Sequence, residues 1–121
     1  GIAVVGLTSQ GNKAFTASLG CYGRVLGYGE IAALDAAVPT VYVDMSGSAE
    51  VRRAVHGHFG ERLVYSCAVG GTHWDHLAAG GSERLPGAKP TLFFAPAQGR
   101  ERVADWGAAG FAQRVAAVWG A

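Results

Sequence analysis

Five short apolar runs punctuate the chain, at residues 2–7, 24–28, 40–44, 62–69 and 91–95. Each has the length of a β-strand. They are rich in Val, Tyr, Phe and Leu and run almost continuously apolar instead of alternating with polar residues, which predicts parallel strands covered by helices on both faces. Helical spacing fills the intervals between them. Over residues 12–19, Ala14, Phe15, Ser18 and Leu19 share one face, and Gly20 stands where a left-handed cap would end the helix. Ser48 is placed to cap a second helix in which Val51, Val55 and Phe59 fall four residues apart, with Gly60 ending it. Residues 105–119 carry Phe111, Val115, Val118 and Trp119 on one stripe, and the spacing predicts a helix mainly from Ala109 onward, because Gly107 and Gly110 weaken its first turns. Residues 76–89, with Gly80, Gly81, Pro86 and Gly87, predict a long loop.

Composition narrows this picture. The chain has 121 residues, half of them hydrophobic, which is enough for one domain with a real core. Its 19 glycines form no low-complexity tract but sit between the apolar runs, as sharp strand-to-helix turns require. A formal net charge of +1 without a basic run argues against nucleic acid or an anionic membrane as a partner. No stretch is apolar enough to span a membrane and no leader is visible, so a cytoplasmic location is expected. Cys21 and Cys67 form no C-x-x-C pair and read as reduced thiols, each more simply a buried inert cysteine than a nucleophile.

Strands alternating with helices make right-handed βαβ units and an open parallel sheet, and such sheets bind ligands at the carboxyl ends of their strands. The residues to inspect are therefore 8–13, 45–48, 67–74 and 95–98.

Four segments, GLTSQGNKAF, SLGCYGRVLGY, VYVDMSGSAEVRRAVHGHFG and LVYSCAVGGTHWD, occur in an order and spacing that covers nearly the whole chain. Together they resemble the nucleotide-binding domain of the medium-chain dehydrogenase/reductase superfamily and, more closely, a group of uncharacterised bacterial proteins known as a domain of unknown function. The resemblance implies a Rossmann-like α/β fold: a parallel sheet with flanking helices. One departure stands out. The glycine-rich turn that cradles the pyrophosphate in that superfamily lies between its first strand and first helix, and no G-x-G-x-x-G occurs here. Residues 1–121 are therefore expected to be a partial dinucleotide-binding domain, truncated at the N-terminal strand and the glycine-rich loop. With the usual order 3-2-1-4-5-6, the absent strand would lie between the first and third strands seen here. The sheet would then have to borrow a strand, change its order or pair with another copy.

The resemblance also places a cofactor. Thr8, Ser9, Asn12 and Lys13 follow the first strand, where an adenosine ribose would lie. An acidic residue there would select NAD, whereas hydroxyls, an amide and a cation suit a 2'-phosphate and hence NADP. The alternative is that Thr8 or Ser9 caps a helix and Lys13 is solvated. Asp44, Met45, Ser46 and Gly47 end the third strand beside the expected adenine and dinucleotide cleft. Asp44 there is either a working carboxylate or, more simply, the acceptor for the backbone of the next turn, and Gly47 either admits the cofactor or makes a turn. Cys67, Ala68, Val69 and Gly70 correspond to the strand end on which a nicotinamide would rest.

Other side chains invite weaker readings. His73, Asp75 and His76 are conceivable zinc ligands together with Cys67, but a solvated or substrate-facing loop is the simpler reading, and no metal is expected. His73 as an acid or base beside the cofactor rests on location alone. His56 and His58 read as surface residues of their helix. Phe93, Phe94, Pro96, Gln98, Trp106, Phe111 and Trp119 suggest core packing plus a homo-oligomer contact through the sheet edge, as the resemblance implies.

The function expected is the cofactor-binding portion of an NADP-dependent reductase-like oxidoreductase. The complete protein would pass hydride to or from a carbonyl or activated alkene; this portion would not be catalytic alone, and no catalytic residue is assigned. A Rossmann-like interaction or scaffold domain that uses no cofactor is the alternative. A methyltransferase-like nucleotide domain would want an acidic residue directly after the first strand, and none is there.

Overall fold

The computed structural model describes residues 1–69 and 84–120 and divides the chain into two units, Gly1–Thr91 and Leu92–Ala121. In the first unit, β1 (Val5–Thr8) runs parallel to β2 (Arg24–Gly27), with Leu7 opposite Leu26 and Thr8 opposite Gly27. The crossover between them is a 3-10 turn, Gln10–Asn12, followed by α1 (Lys13–Ser18). Gly20, at φ 69°, then turns the chain in a conformation that disfavours a side chain. α1 leaves Phe15 and Leu19 exposed and buries none of its residues. Helical spacing alone had not distinguished such a helix from one packed in a core.

β3 (Thr40–Asp44) pairs in parallel with β4 (Leu63–Ala68), and β5 (Thr91–Leu92) takes the place beside β4. The connection from β3 to β4 is α2 (Ala49–Phe59). The Ser48 hydroxyl caps it by accepting from the Val51 amide, and Gly60, at φ 51°, ends it. Val51, Val55 and Phe59 point inward as their spacing predicts, joining Ile31, Tyr42 and Leu63 in one buried cluster, with Leu7 and Leu34 packed against it. Each such side chain stabilises the fold by roughly 1.5–3 kcal/mol. On the other face of β3, Val41 and Val43 are exposed.

The fold is α/β, with parallel strands and flanking helices in a Rossmann-like arrangement. Its strands form two hydrogen-bonded groups, β1-β2 and β3-β4-β5. Among the described residues no ladder joins one group to the other. Leu7 of β1 packs against the shared cluster, and Leu26 of β2 is buried beside it in the ladder.

Three sequence expectations need correction. The strand expected over residues 91–95 stops at Leu92, because Ala95 and Pro96 already open a helix, α3 (Ala95–Trp119), with proline in the first turn, where no amide hydrogen is needed. The helix expected mainly from Ala109 is the second of two helical stretches in α3, which is broken at Gly107, whose φ of 71° and ψ of 161° suit glycine alone; the stretch before the break was not expected. Phe93, Phe94, Trp106 and Trp119 are exposed instead of forming core.

His56 is a further correction. Expected at the surface, it is fully buried. It sits next to Val55 on the sheet-facing side of α2. Its Nδ1 donates to the Pro86 carbonyl at 2.8 Å, and the Ser66 hydroxyl of β4 meets Nε2 at 2.9 Å. His58 is half-buried, its Nε2 2.8 Å from the Leu34 carbonyl and its ring edge-on to Phe59. Both histidines tie α2 to segments distant in sequence.

Candidate functional site

The carboxyl ends of the strands gather most of the polar residues that the sequence singled out. After β1 come Thr8, half-buried, and Ser9, exposed, and then the turn that leads into Lys13 at the head of α1. Ser9 caps through its backbone, its carbonyl accepting from the Asn12 amide at 3.0 Å, while neither Ser9 nor Asn12 makes a side-chain cap. The simple capping alternative for Ser9 is therefore met by backbone alone. Lys13 is not solvated and unpaired: its ammonium donates to Glu30 Oε2 at 2.6 Å.

Glu30 was not singled out by sequence, yet it organises this corner. The 3-10 helix Tyr28–Ala33 begins directly after β2, and the Glu30 carboxylate folds back over its first turn to accept from the Gly27 amide at 2.7 Å. Lys13 first, and the Gly27 amide second, hold the Glu30 carboxyl below its ordinary 4.5. A β-carbon on Gly27 would stand 3.0 Å from Gln10 Oε1 and 3.2 Å from Glu30 Oε2, so both side-chain ends would have to give way slightly to admit it. The signal in the sequence is the G-x-x-E spacing of Gly27 and Glu30, a capping pattern read across a strand end.

After β3 the chain turns sharply. Asp44, 2% exposed, accepts at Oδ1 from the Ser46 amide and hydroxyl, both at 3.1 Å, and from the Gly47 amide at 2.9 Å. Its Oδ2 receives Arg52 Nε at 3.3 Å and Nη2 at 3.2 Å. This is the structural role weighed for Asp44, enlarged by an arginine one turn into the following helix. Gly47 adopts φ 68°, so the turn alone accounts for the glycine. Burial first, then the Asp44 carboxylate, pushes the Tyr42 phenol well above its ordinary value of 10.0.

After β4, the Val69 amide donates to the Asp44 carbonyl at 2.9 Å, prolonging the β3-β4 ladder by one residue. Cys67 is buried, as the inert reading requires, while Cys21 is exposed and free. Gly70, Thr72, His73, Trp74, Asp75 and His76 lie outside the described residues. Among the described residues no group of His, Cys, Asp and Glu side chains could hold a metal ion.

An open depression of about 230 Å³ is lined by Tyr28 and Gly29 of the 3-10 helix after β2 and by Ser48, Glu50, Val51 and Ala54 at the start of α2. Tyr28 and Gly29 follow β2; Ser48 follows β3. Within the first unit, the segments that follow β2 and β3 therefore lie side by side. Thr8, Lys13 and Glu30 form one polar corner and Asp44, Gly47 and Arg52 another.

With this geometry in view, the whole chain, residues 1–121, matches the family described as protein of unknown function (DUF2855). The chain belongs to that family. Searches of curated proteins and of solved structures gave no match. Membership leaves the activity to be argued from the strand ends. Among the described residues no helix is long and apolar enough to cross a membrane.

Proposed function

We propose that the carboxyl edge of the strands binds a dinucleotide cofactor, NADP, and that the chain is the cofactor-binding portion of a medium-chain reductase-like oxidoreductase. One observation carries the reading: β1 runs parallel to β2 and β3 to β4, and a depression is lined by Tyr28 and Gly29, which follow β2, and by Ser48, which follows β3. Open α/β sheets bind nucleotides at that edge. The order of the four sequence segments that resemble the superfamily adds support.

In this reading Thr8, Ser9, Asn12 and Lys13 meet the adenosine ribose and its 2'-phosphate. The phosphate competes with Glu30 for Lys13, so binding costs a rearrangement of that pair. Asp44 holds the turn through which Gly47 approaches the cofactor, and Val69 and Gly70 border the nicotinamide. The cofactor supplies the hydride; the protein's share is position. Thermal unfolding with saturating NADPH, NADH or neither tests this, because a ligand that binds only the native state raises the midpoint. A rise with NADPH that is lost in Lys13→Ala is the expected result. No rise with either cofactor overturns the reading.

The second reading, a scaffold or interaction domain without a cofactor, has its own support. The cations nearest the strand ends, Lys13 and Arg52, are both already engaged by carboxylates of the same chain. A phosphate would have to displace one of these carboxylates to gain a charge-assisted hydrogen bond from either cation.

A further inference from the structure

We infer that Glu30 sets the discrimination between NADPH and NADH, because its carboxylate, as an internal anion, holds the Lys13 ammonium that a 2'-phosphate would need. The inference rests on the cofactor reading above and deepens it. The segment directly after β1 carries no acid, and that local absence is what favoured the phosphate-bearing cofactor. The fold supplies an acid from 17 residues beyond Lys13. β1 and β2 lie side by side with Thr8 opposite Gly27, so the turn after β2 delivers Glu30 to the head of α1.

Two donors meet on one oxygen. Lys13 Nζ reaches Glu30 Oε2 at 2.6 Å and the Gly27 amide reaches the same atom at 2.7 Å. A cation and a backbone N–H converging in this way would serve a phosphate oxygen equally well, but here a side chain of the same chain has taken them. The Lys13 and Glu30 side chains are 30% and 44% exposed, so a ligand reaches them from solvent and parting the pair costs little by itself. The larger cost comes afterwards. The displaced carboxylate stays tethered three residues from Gly27, so that it and the phosphate crowd one ammonium as like charges. A ribose that carries only hydroxyls meets no such conflict. It can donate to Glu30 Oε1, which has no hydrogen-bond partner among the described residues, and leave the Lys13 pair in place. Glu30 therefore penalises one cofactor and spares the other, through charge and not through shape.

The test is the affinity of the full chain for NADPH and for NADH, measured by titration calorimetry on the wild type, Glu30→Gln, Lys13→Ala and the double variant. Glutamine keeps an acceptor for the Gly27 amide, so the turn is retained while the charge is lost. Glu30→Gln is expected to bind NADPH about ten-fold more tightly, with NADH changed by less than about two-fold, and the gain should vanish once Lys13→Ala is added. An unchanged or weaker NADPH affinity overturns the inference, as does a gain that is equal for NADH or that persists without Lys13. The wild type offers a second readout that needs no substitution. Saturating NADPH is expected to shift the Gly27 amide resonance as Oε2 leaves it, and NADH to leave that resonance in place; the same response to both cofactors counts against the role of Glu30. Binding of neither cofactor to any of the four chains would overturn the cofactor reading itself, and this inference with it. Binding that ignores the charge at Glu30 would overturn the inference alone.

Discussion

His56 shows how much one buried side chain organises. It joins α2, β4 and the Pro86 segment through two hydrogen bonds. His56→Ala would leave the Ser66 hydroxyl and the Pro86 carbonyl without partners and open a cavity, so a loss of about 2–4 kcal/mol is expected in urea unfolding. An effect within the scatter of surface substitutions would refute the clamp. Next to Pro86, Gly87 has φ 78°, and a β-carbon there would collide with the Gly60 carbonyl oxygen. Gly87→Ala therefore combines backbone strain with a steric clash, and is expected to lower the thermal midpoint more than Gly57→Ala, where a β-carbon meets nothing. Glu30 supplies a pH signature. Its folded pKa lies below 4.5, the ordinary value, so the carboxylate binds protons less readily in the native state than in the unfolded chain. Its contribution to stability is present above the ordinary value and is lost as pH falls through the lowered one. Glu30→Gln should flatten that part of the acid-unfolding profile, and carbon-detected NMR titration of Glu30 should find its midpoint below 4.5.

Elements, rather than single side chains, were what the sequence made legible. The helix of Val51, Val55 and Phe59 was readable because its spacing, its serine cap and its terminal glycine agree. The strand Thr40–Asp44 was readable for a similar reason: a β-branched run ends there at a turn-forming Asp and Gly. α3 was half read: the stretch after Gly107 was expected, whereas the one before it, which begins at Ala95 and Pro96, was taken for the end of a strand. The site was half legible. Thr8, Lys13, Asp44 and Gly47 were chosen from their places after strands, but Glu30 and Arg52 escaped because their roles depend on pairs formed between elements. Ser48→Ala should destabilise α2 by about 1 kcal/mol, measurable as a lower urea midpoint. The Asp44–Arg52 corner allows a sharper comparison. Asp44→Asn keeps an acceptor for the turn amides, whereas Asp44→Ala removes it and strands the guanidinium, so Ala should cost several kcal/mol, of the order of 3–5, and Asn clearly less. Equal effects would show that the turn does not depend on the Oδ1 acceptor.

Across the whole molecule, the parallel strands and their helices followed from patterning because each apolar run is a local property. The division of the strands into two groups was not local. It depends on which backbone edges meet, and no side-chain pattern records that. The second unit is simpler, and its break has a use in spectroscopy. Arg102 and Arg114 both stand over the Trp106 ring, at 5.6 and 4.5 Å from its centre, one from each side of Gly107 in sequence. Along a straight helix, Trp106 and Arg114 would be separated by about 12 Å. With Trp74 and Trp119 replaced by phenylalanine, the fluorescence of Trp106 is therefore a gauge of the bend: straightening the helix removes one of the two guanidinium groups from the indole and changes its emission without any label.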